Sequence, residues 1–450
     1  MSESITVSTI TREGVDSLSI DRGEPEWLKA IRVGALEKFL KAPSPTLRED
    51  SWRKTRVDKL NLAEIKTTSP INEKPSKESK LDSQILDRFQ ERAGAIYSTT
   101  GNSWLVDLDE DLKKAGVIFE PLSEAIKNHG DLLKSVLEGE QSKDPDKFEL
   151  MQDALFNCGA LLYIPQDLVV EKPFLVVNRI DQSETGASLF PKIIIKAESH
   201  SQISLINAFV SECQDEGVDK SGSLSLLNAN TSILTGTGAR VSYIEIQSLS
   251  VNCFLTGKVI GRVERDGSLS SLTVGMGGYQ LKSEIVTSLV GQGAHGSMLG
   301  VVFGDNKEHL SYNTIQDHDA PNTTSDINFR VALKDEAVSA YQGNIKVAKE
   351  AQKTNAFQSN KNLLLGKQAK ADSIPKLEIL ANDVKCSHGA TVGPVDEDQV
   401  FFLMARGLDK KTAEELIVAG FFDTVLESLP DKVANNWIHE LIKEKIQRGL

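Results

Sequence analysis

Ser242-Tyr243-Ile244-Glu245-Ile246 alternates polar and apolar residues with period two, as a half-buried β-strand does. A small residue returns inside an apolar strand at Ser270 and again at Ser297, steps of 28 and 27 positions. Between and beyond these points glycine recurs at bends: Gly236, Gly238, Gly257, Gly261, Gly267, Gly275, Gly277, Gly278, Gly291, Gly293, Gly296 and Gly300. Short strands at near-regular steps with tight corners suit a coiled β-solenoid, in which each rung covers the next. A β-sandwich would produce a similar string, so pattern alone leaves both open.

Working outward, Leu168 to Val170, Leu175 to Val177, Ile193 to Ile195, Ile203 to Ile206 and Ser223-Leu224-Ser225-Leu226 read as further strands. Upstream the period changes to that of helices. Trp27, Leu28, Ile31, Ala35, Leu36 and Phe39 form a stripe at steps of three and four after Pro25, closed by Pro43 and Pro45. Helical spacing also predicts Ile85 to Ile96, Leu122 to Leu137 and Phe148 to Phe156 as helices. Downstream, Asp396 with Gln399 reads as a capping box with Gly407 as its stop. Asp409 starts a second helix ending at Gly420, and Pro430-Asp431 opens a third with Val433, Trp437 and Leu441 along one face. The predicted division is a helical region over 1–160 with a polar linker near 66–80, a β region over 161–393, and a helical region over 394–450. Val400 to Ala405 is apolar all round, so that helix is either buried or offers a face to another protein.

The 64 acidic and 51 basic residues give a net charge of −13, which disfavours a phosphate backbone as partner and argues against nucleic acid. No apolar run approaches the roughly 20 residues needed to cross a bilayer, so no membrane partner is expected. Met-Ser-Glu-Ser at the start lacks a basic, apolar signal, which predicts the cytoplasm, or an organelle if a transit peptide was trimmed. Cys158, Cys213, Cys253 and Cys386 have no paired spacing and read as free thiols.

Signatures of catalysis are missing: no G-x-x-x-x-G-K-[ST] and hence no ATP site, and no G-x-S-x-G, H-E-x-x-H or C-x-x-C. Gly291 to Gly296 lacks the strand–helix setting of a dinucleotide loop, and no flavin motif is legible. Cys386-Ser387-His388 follows a strand-like run, and residues two apart on a strand share a side. A thiol and an imidazole there could supply two ligands to iron or another thiophilic ion, with the rest coming from a second chain. A buried Cys beside a hydrogen-bonded His is the competing reading. Asp317-His318-Asp319, before Ala320-Pro321-Asn322, reads as a solvated turn with the residue types of a ligand cluster.

From about His309 to Pro430 the chain resembles the SufB/SufD family of iron–sulfur cluster assembly scaffolds. The matching words are Asp317-His318 with Ala320-Pro321-Asn322-Thr323-Thr324-Ser325, Ala351-Gln352-Lys353-Thr354-Asn355-Ala356 and Gln358-Ser359-Asn360-Lys361-Asn362. Asp383-Val384-Lys385-Cys386-Ser387-His388-Gly389-Ala390-Thr391-Val392-Gly393 and Phe402-Leu403-Met404-Ala405-Arg406-Gly407 complete them. Glu26-Trp27-Leu28 and Glu49-Asp50-Ser51-Trp52-Arg53 are similar more loosely.

The resemblance implies a mainly β fold: a right-handed parallel β-helix (β-solenoid) core flanked by N-terminal and C-terminal α-helical domains. It implies a non-catalytic scaffold pairing with a SufB-like chain through the β-helix and carrying a SufC-like ATPase on its C-terminal helices. A transient iron–sulfur cluster, or iron, would gather at the interface, with His388 as the expected iron ligand and Cys386 as the weaker candidate. Ala369 stands near the place of a SufB-type Cys, Gly389 replaces the Glu after the motif His, and Thr287 and Ser288 occupy the strand where the SufB core thiol is expected. These departures point to the SufD-type branch. The alternatives are a SufB-type scaffold that itself accepts sulfur and, from another class, a β-helix polysaccharide lyase.

Overall fold

The computed structural model describes residues 10–62, 65, 80–99, 102–139, 144–180, 186–211, 224–429 and 431–447. Most of the polar linker near 66–80, together with Cys213, Ser223 and Pro430, lies outside them. The N-terminal part comprises α1 (Arg12–Arg22), α2 (Glu26–Lys41), a 3-10 turn (Asp50–Trp52), α3 (Lys80–Arg88), β1 (Gly94–Thr99) and β2 (Asn102–Leu108). It continues with α4 (Glu110–Lys114), β3 (Ile118–Pro121), α5 (Leu122–Asn128), α6 (Gly130–Gly139) and α7 (Lys147–Leu155). Seventeen further strands follow: β4 (Cys158–Ile164), β5 (Phe174–Ile180), β6 (Ser188–Leu189), β7 (Pro191–Ala197), β8 (Gln202–Ser211), β9 (Ser225–Thr235), β10 (Arg240–Leu249), β11 (Cys253–Val263), β12 (Ser268–Gly277), β13 (Gln280–Leu289), β14 (His295–Gly304), β15 (His309–His318), β16 (Thr324–Leu333), β17 (Val338–Val347), β18 (Asn355–Leu364), β19 (Lys370–Ile379) and β20 (Lys385–Pro394). The chain then enters α8 (Glu397–Met404), α9 (Lys410–Leu426) and α10 (Lys432–Gln447).

From β4 onward the chain winds into a two-sided parallel solenoid. One sheet runs β2-β1-β5-β8-β10-β12-β14-β16-β18-β20 and the other β19-β17-β15-β13-β11-β9-β7-β4-β3. Among the described residues only the β1–β2 and β3–β4 pairs are antiparallel. The serine echo is the rung register itself: Ser204, Ser242, Ser270, Ser297 and Asp326 are successive ladder partners.

One corner of each coil is a left-handed residue. His200, Gly238, Asp266, Gly293, Asn322 and Lys353 all have φ between 54° and 76°. Each donates its N–H to the carbonyl one residue ahead of the next corner position, at 2.6 to 3.2 Å. Asn and Asp tolerate this geometry, so glycine is not obligatory at the corners. Several glycines read as bends sit within strands instead, where the lumen needs room. A Cβ on Gly275 would meet Tyr312 Oη at 2.0 Å, and one on Gly300 would meet the Phe329 ring at 2.2 Å.

The Ser242 to Ile246 strand is buried on both faces rather than one. Ile244 and Ile246 point outward and pack with Val418, Phe422 and Trp437 of α9 and α10. Tyr243 and Glu245 point into the lumen, where Tyr243 Oη and Gln247 Nε2 donate to Glu245, each at 2.7 Å. Burial raises the Glu245 carboxyl above its ordinary range. On the other sheet, α1, α2 and α7 cover Phe190, Leu226 and Phe254, while α5 and α6 close over Leu161 and Ile194. A bidentate Arg32–Glu24 pair, fully buried, ties α2 to the α1 end.

Local structure departs from the sequence patterns in several places. The helix expected through Ile96 ends at Arg88, and β1 begins at Gly94 to join the first sheet. The predicted 122–137 helix is broken at His129. Leu168 to Val170 supplies only an isolated bridge at Val169. Asp396 accepts from Asp398 N without the Gln399 return that a capping box needs. The second C-terminal helix passes through Gly420 to Leu426 because Val418, Phe422, Val425 and Leu426 are all core residues. On α10 the buried stripe is Ala434, Ile438 and Ile442 beside Trp437, one position off Val433 and Leu441.

α10 is pinned by a buried ion cluster. Lys445 Nζ donates to Asp305 at 2.7 Å and Glu308 at 2.6 Å in the β14–β15 turn. Burial lifts Glu308 to about 8, whereas Lys445 outweighs burial at Asp305 and holds it below its ordinary value. Of the two carboxyls, Asp305 is the one held ionised, and Glu308 is the one whose neutral form burial favours. Lys445→Met should cost about 3–5 kcal/mol by stranding a buried carboxylate, whereas Glu308→Gln should cost under about 1 kcal/mol. Urea denaturation of the two variants checks this, and equal losses would contradict the charge assignment.

Candidate functional site

Cys386 and His388 lie on β20, the last strand of the first sheet. Their ladder partners on β18 are Ala356 and Gln358. The Gln358 side chain reaches across the lumen, since a Cβ on Gly343 of the opposite sheet would meet its Nε2 at 2.3 Å. Parallel partners share a face, so Cys386 and His388 belong to the lumen column at the rung that no further rung covers. Cys386 is half-buried against the core, and His388 is exposed. The strand brings the two residues together on one side, in the arrangement that the C-x-H spacing predicts.

Among the described residues no group of three or more His, Cys, Asp or Glu could hold a metal ion. Cys386 and His388 are a pair of possible donor side chains on one strand face, short of such a group. Burial raises the Cys386 thiol, partly offset by a backbone hydrogen bond from Ala356. Cys158 and Cys253 are buried and pushed up to about 12 by burial. All three described thiols are free and held protonated near neutral pH, which makes them weak nucleophiles. Thr287 is buried, and Ala369 belongs to the core cluster.

β20 is also an unguarded edge. Between Cys386 and Val392 it carries neither a charge nor a proline, and most of its residues are exposed. β19, its counterpart in the second sheet, has Pro375 in mid-strand with Asp372, Lys376 and Glu378 around it. Charges and proline are the usual protection of a sheet edge, and β20 has them only at its two ends, Lys385 and Pro394, with none between. Nine residues beyond Val392, α8 presents Phe401 at 71% and Phe402 at 56% exposure, with Met404 beside them. The apolar helix is thus an outward face, its Val400 alone being buried. Sequence periodicity could not find the bare edge, because it says nothing of which rung is last.

The Asp317-His318-Asp319 run is not a solvated turn. His318 ends β15 fully buried, with Nδ1 2.8 Å from Thr323 Oγ1 and Nε2 2.9 Å from Ser325 Oγ. Thr323 in turn donates to the Ala320 carbonyl, and Thr354 repeats that bond to Ala351 one coil on. Ala-Pro-Asn-Thr and Ala-Gln-Lys-Thr are therefore equivalent corners. Both imidazole nitrogens are committed, so His318 is a corner brace and not a free ligand.

Family models match the chain in two parts. One described as SUF system FeS cluster assembly, SufBD core domain, matches residues 178–421. One described as SufBD protein N-terminal region matches residues 15–176. The iron–sulfur cluster assembly protein SufD of Bacillus subtilis is 29% identical, aligned over 98% of this chain and 99% of its own. SufB of the same organism is 24% identical, over 98% and 94%. An iron–sulfur cluster assembly SufBD family protein of Staphylococcus saprophyticus is also 24% identical, over 98% and 94%.

Burial holds His318 down to about 4, from an ordinary 6.5, so it is neutral when folded. The unfolded chain then binds the extra proton, and the stability His318 contributes is complete above 6.5 and lost as pH falls toward 4. That loss should be roughly 3 kcal/mol by pH 4. Urea midpoints between pH 7 and 4.5 should fall more steeply for the native chain than for His318→Gln; parallel slopes would refute it.

Proposed function

The chain belongs to the SufB/SufD family of iron–sulfur cluster assembly proteins, and on that premise we propose that it is the SufD-type, non-catalytic scaffold of a complex with a SufB-like chain and a SufC-like ATPase. The observation that carries this reading is the bare β20 edge bearing Cys386 and His388. A second solenoid chain pairing there would satisfy the unpaired backbone and enclose both side chains at the joint. The higher identity to SufD than to SufB of one organism supports the branch, as do the protonated thiols and Thr287 in place of a core sulfur acceptor.

Iron and sulfide are cargo in this reading. An imidazole such as that of His388 suits ferrous iron, and the partner's thiolates would receive the sulfide. The half-buried Cys386 thiol is the weaker donor of the two. α8 is the expected seat of the ATPase: its exposed phenylalanines follow β20 with only a short link, so a shift of the docked ATPase would reach the paired edge directly. α9 and α10 are held to the solenoid by the Phe303–Phe422 contact and the Lys445 cluster and would form the fixed side of that joint.

Purification of the three-chain complex with its iron and sulfide content tests the reading. Because His388 is exposed, His388→Ala should leave the melting temperature and partner pairing nearly unchanged while iron and sulfide fall several-fold. Full cluster content in a well-folded His388→Ala complex would sink the ligand role. Ala390→Lys with Val392→Lys should abolish pairing with the SufB-like chain without destabilising this chain by more than about 0.5 kcal/mol, since both sites are exposed. Phe401→Glu with Phe402→Glu should lower ATPase capture at least about ten-fold, as loss of a buried aromatic anchor does, with pairing retained. Undiminished capture would place the ATPase elsewhere.

A further inference from the structure

Beneath the Asp50–Trp52 turn a pocket opens between the N-terminal segment and the outer face of the second sheet, lined by Trp52, Phe148, Glu149, Thr256, Lys258 and Lys282 among others. Its room, about 40 Å³, is enough for two or three water-sized groups. Two lysines enter it and differ in kind. Lys258 is committed, with Nζ 2.5 Å from Glu149 and 3.0 Å from Glu284. Lys282 is 4% exposed, and its Nζ has no hydrogen-bond partner among the described residues. It stands 5.8 Å over the Trp52 ring. Thr256 Oγ1, also buried, is likewise unpartnered. An ammonium without an acceptor is costly in such a place, so the pocket raises the fraction of free amine above that of an exposed lysine.

We propose that Lys282 is a modification site, a nucleophilic amine that small acyl phosphates acylate without an enzyme. The amine lone pair attacks the carbonyl carbon, a C–N bond forms, the C–O bond to phosphate breaks, and inorganic phosphate departs. The proton shed by nitrogen passes to water. A two-carbon acyl group adds three heavy atoms, which matches the room available, and gives Thr256 a carbonyl oxygen to donate to. The product is neutral, so it relieves the uncompensated charge beneath Trp52.

The electrostatics agree with this geometry. Burial brings Lys282 down to about 8, with Lys258 adding to the effect and Glu284 and Asp146 opposing it. The groups facing the amine are thus Asp146 and Glu149 from the N-terminal side, Lys258 from β11 and Glu284 from its own strand. The position matters because the same segment reaches on to the last rung: Asp50 pairs with Lys376 at 2.7 Å and Lys54 with Asp372 at 3.0 Å. Neutralising the seat of Trp52 would alter the hold of that segment on β19. The inference stands independently of the scaffold role.

The test is incubation of the full native chain with acetyl phosphate, with site-resolved peptide mass spectrometry at several pH values. At pH 7.5 Lys282 should acylate at least about ten-fold faster than the exposed Lys349 and Lys385, because a far larger fraction of it is free amine than of an ordinary lysine. Its rate should level off near pH 9 while theirs keep rising. A Lys282 that stays unmodified, or whose rate climbs in parallel with the exposed lysines, overturns the proposal.

Discussion

A parallel rung satisfies its backbone only by pairing with a rung on either side, and here that requirement is met along the solenoid until β19 and β20. The consequence is local and unavoidable. The last coil presents N–H and C=O groups that no further strand pairs among the described residues, together with a lumen column that no described rung covers. Cys386 and His388 stand in that column, so the place where the fold is unfinished and the candidate site coincide. β19 is guarded by Pro375 and charges, and the N-terminal turn reaches it through Asp50 and Lys54. β20 has no such guard, so the demand for a partner falls on one strand.

The rest of the molecule follows from having two broad parallel sheets whose outer faces are apolar. Parallel sheets need cover on both sides. The C-terminal helices provide it over Ile244, Ile246, Val274 and Phe303, and the N-terminal helices over Phe190, Leu226 and Phe254. Helical segments at the two ends of the chain are thus structural parts of the solenoid as well as carriers of exposed surfaces. α8 is the exception. It lies between the last strand and the clamped pair α9–α10, and it leaves its phenylalanines outside.

The geometry of the candidate site was legible in the sequence, for a definite reason. The C-x-H pair is read by strand periodicity, which depends only on backbone geometry, and the serine echo is read by rung length, which the corner turns set. His318 was misread because its neighbours Asp317, Asp319 and Pro321 look like a solvated turn. What overrides them is contact between coils, where Thr323 and Ser325 reach both ring nitrogens. Likewise the pocket over Lys282 left no trace in the pattern, since Trp52, Phe148 and Lys282 come together only when the N-terminal segment is laid on the sheet.

Sequence by itself determined the elements that rest on local physics: the strand period, the corner spacing, the α2 stripe, the Asp409 cap and the absence of a phosphate loop. Tertiary structure alone decided which face of each strand meets the lumen. Glu245 shows the difference: an alternating strand suggests that its glutamate faces water, yet here the isoleucines face outward under α9 and α10 and the glutamate lies inside. Alternation records that two faces differ and carries no sign for which is buried, and when helices cover the outside both are. The same holds for Gly420, where local propensity argues for a stop but Phe422, Val425 and Leu426 gain more by staying helical against the sheet. Burial is a property of pairs of segments distant in sequence, and only the folded chain brings those pairs together.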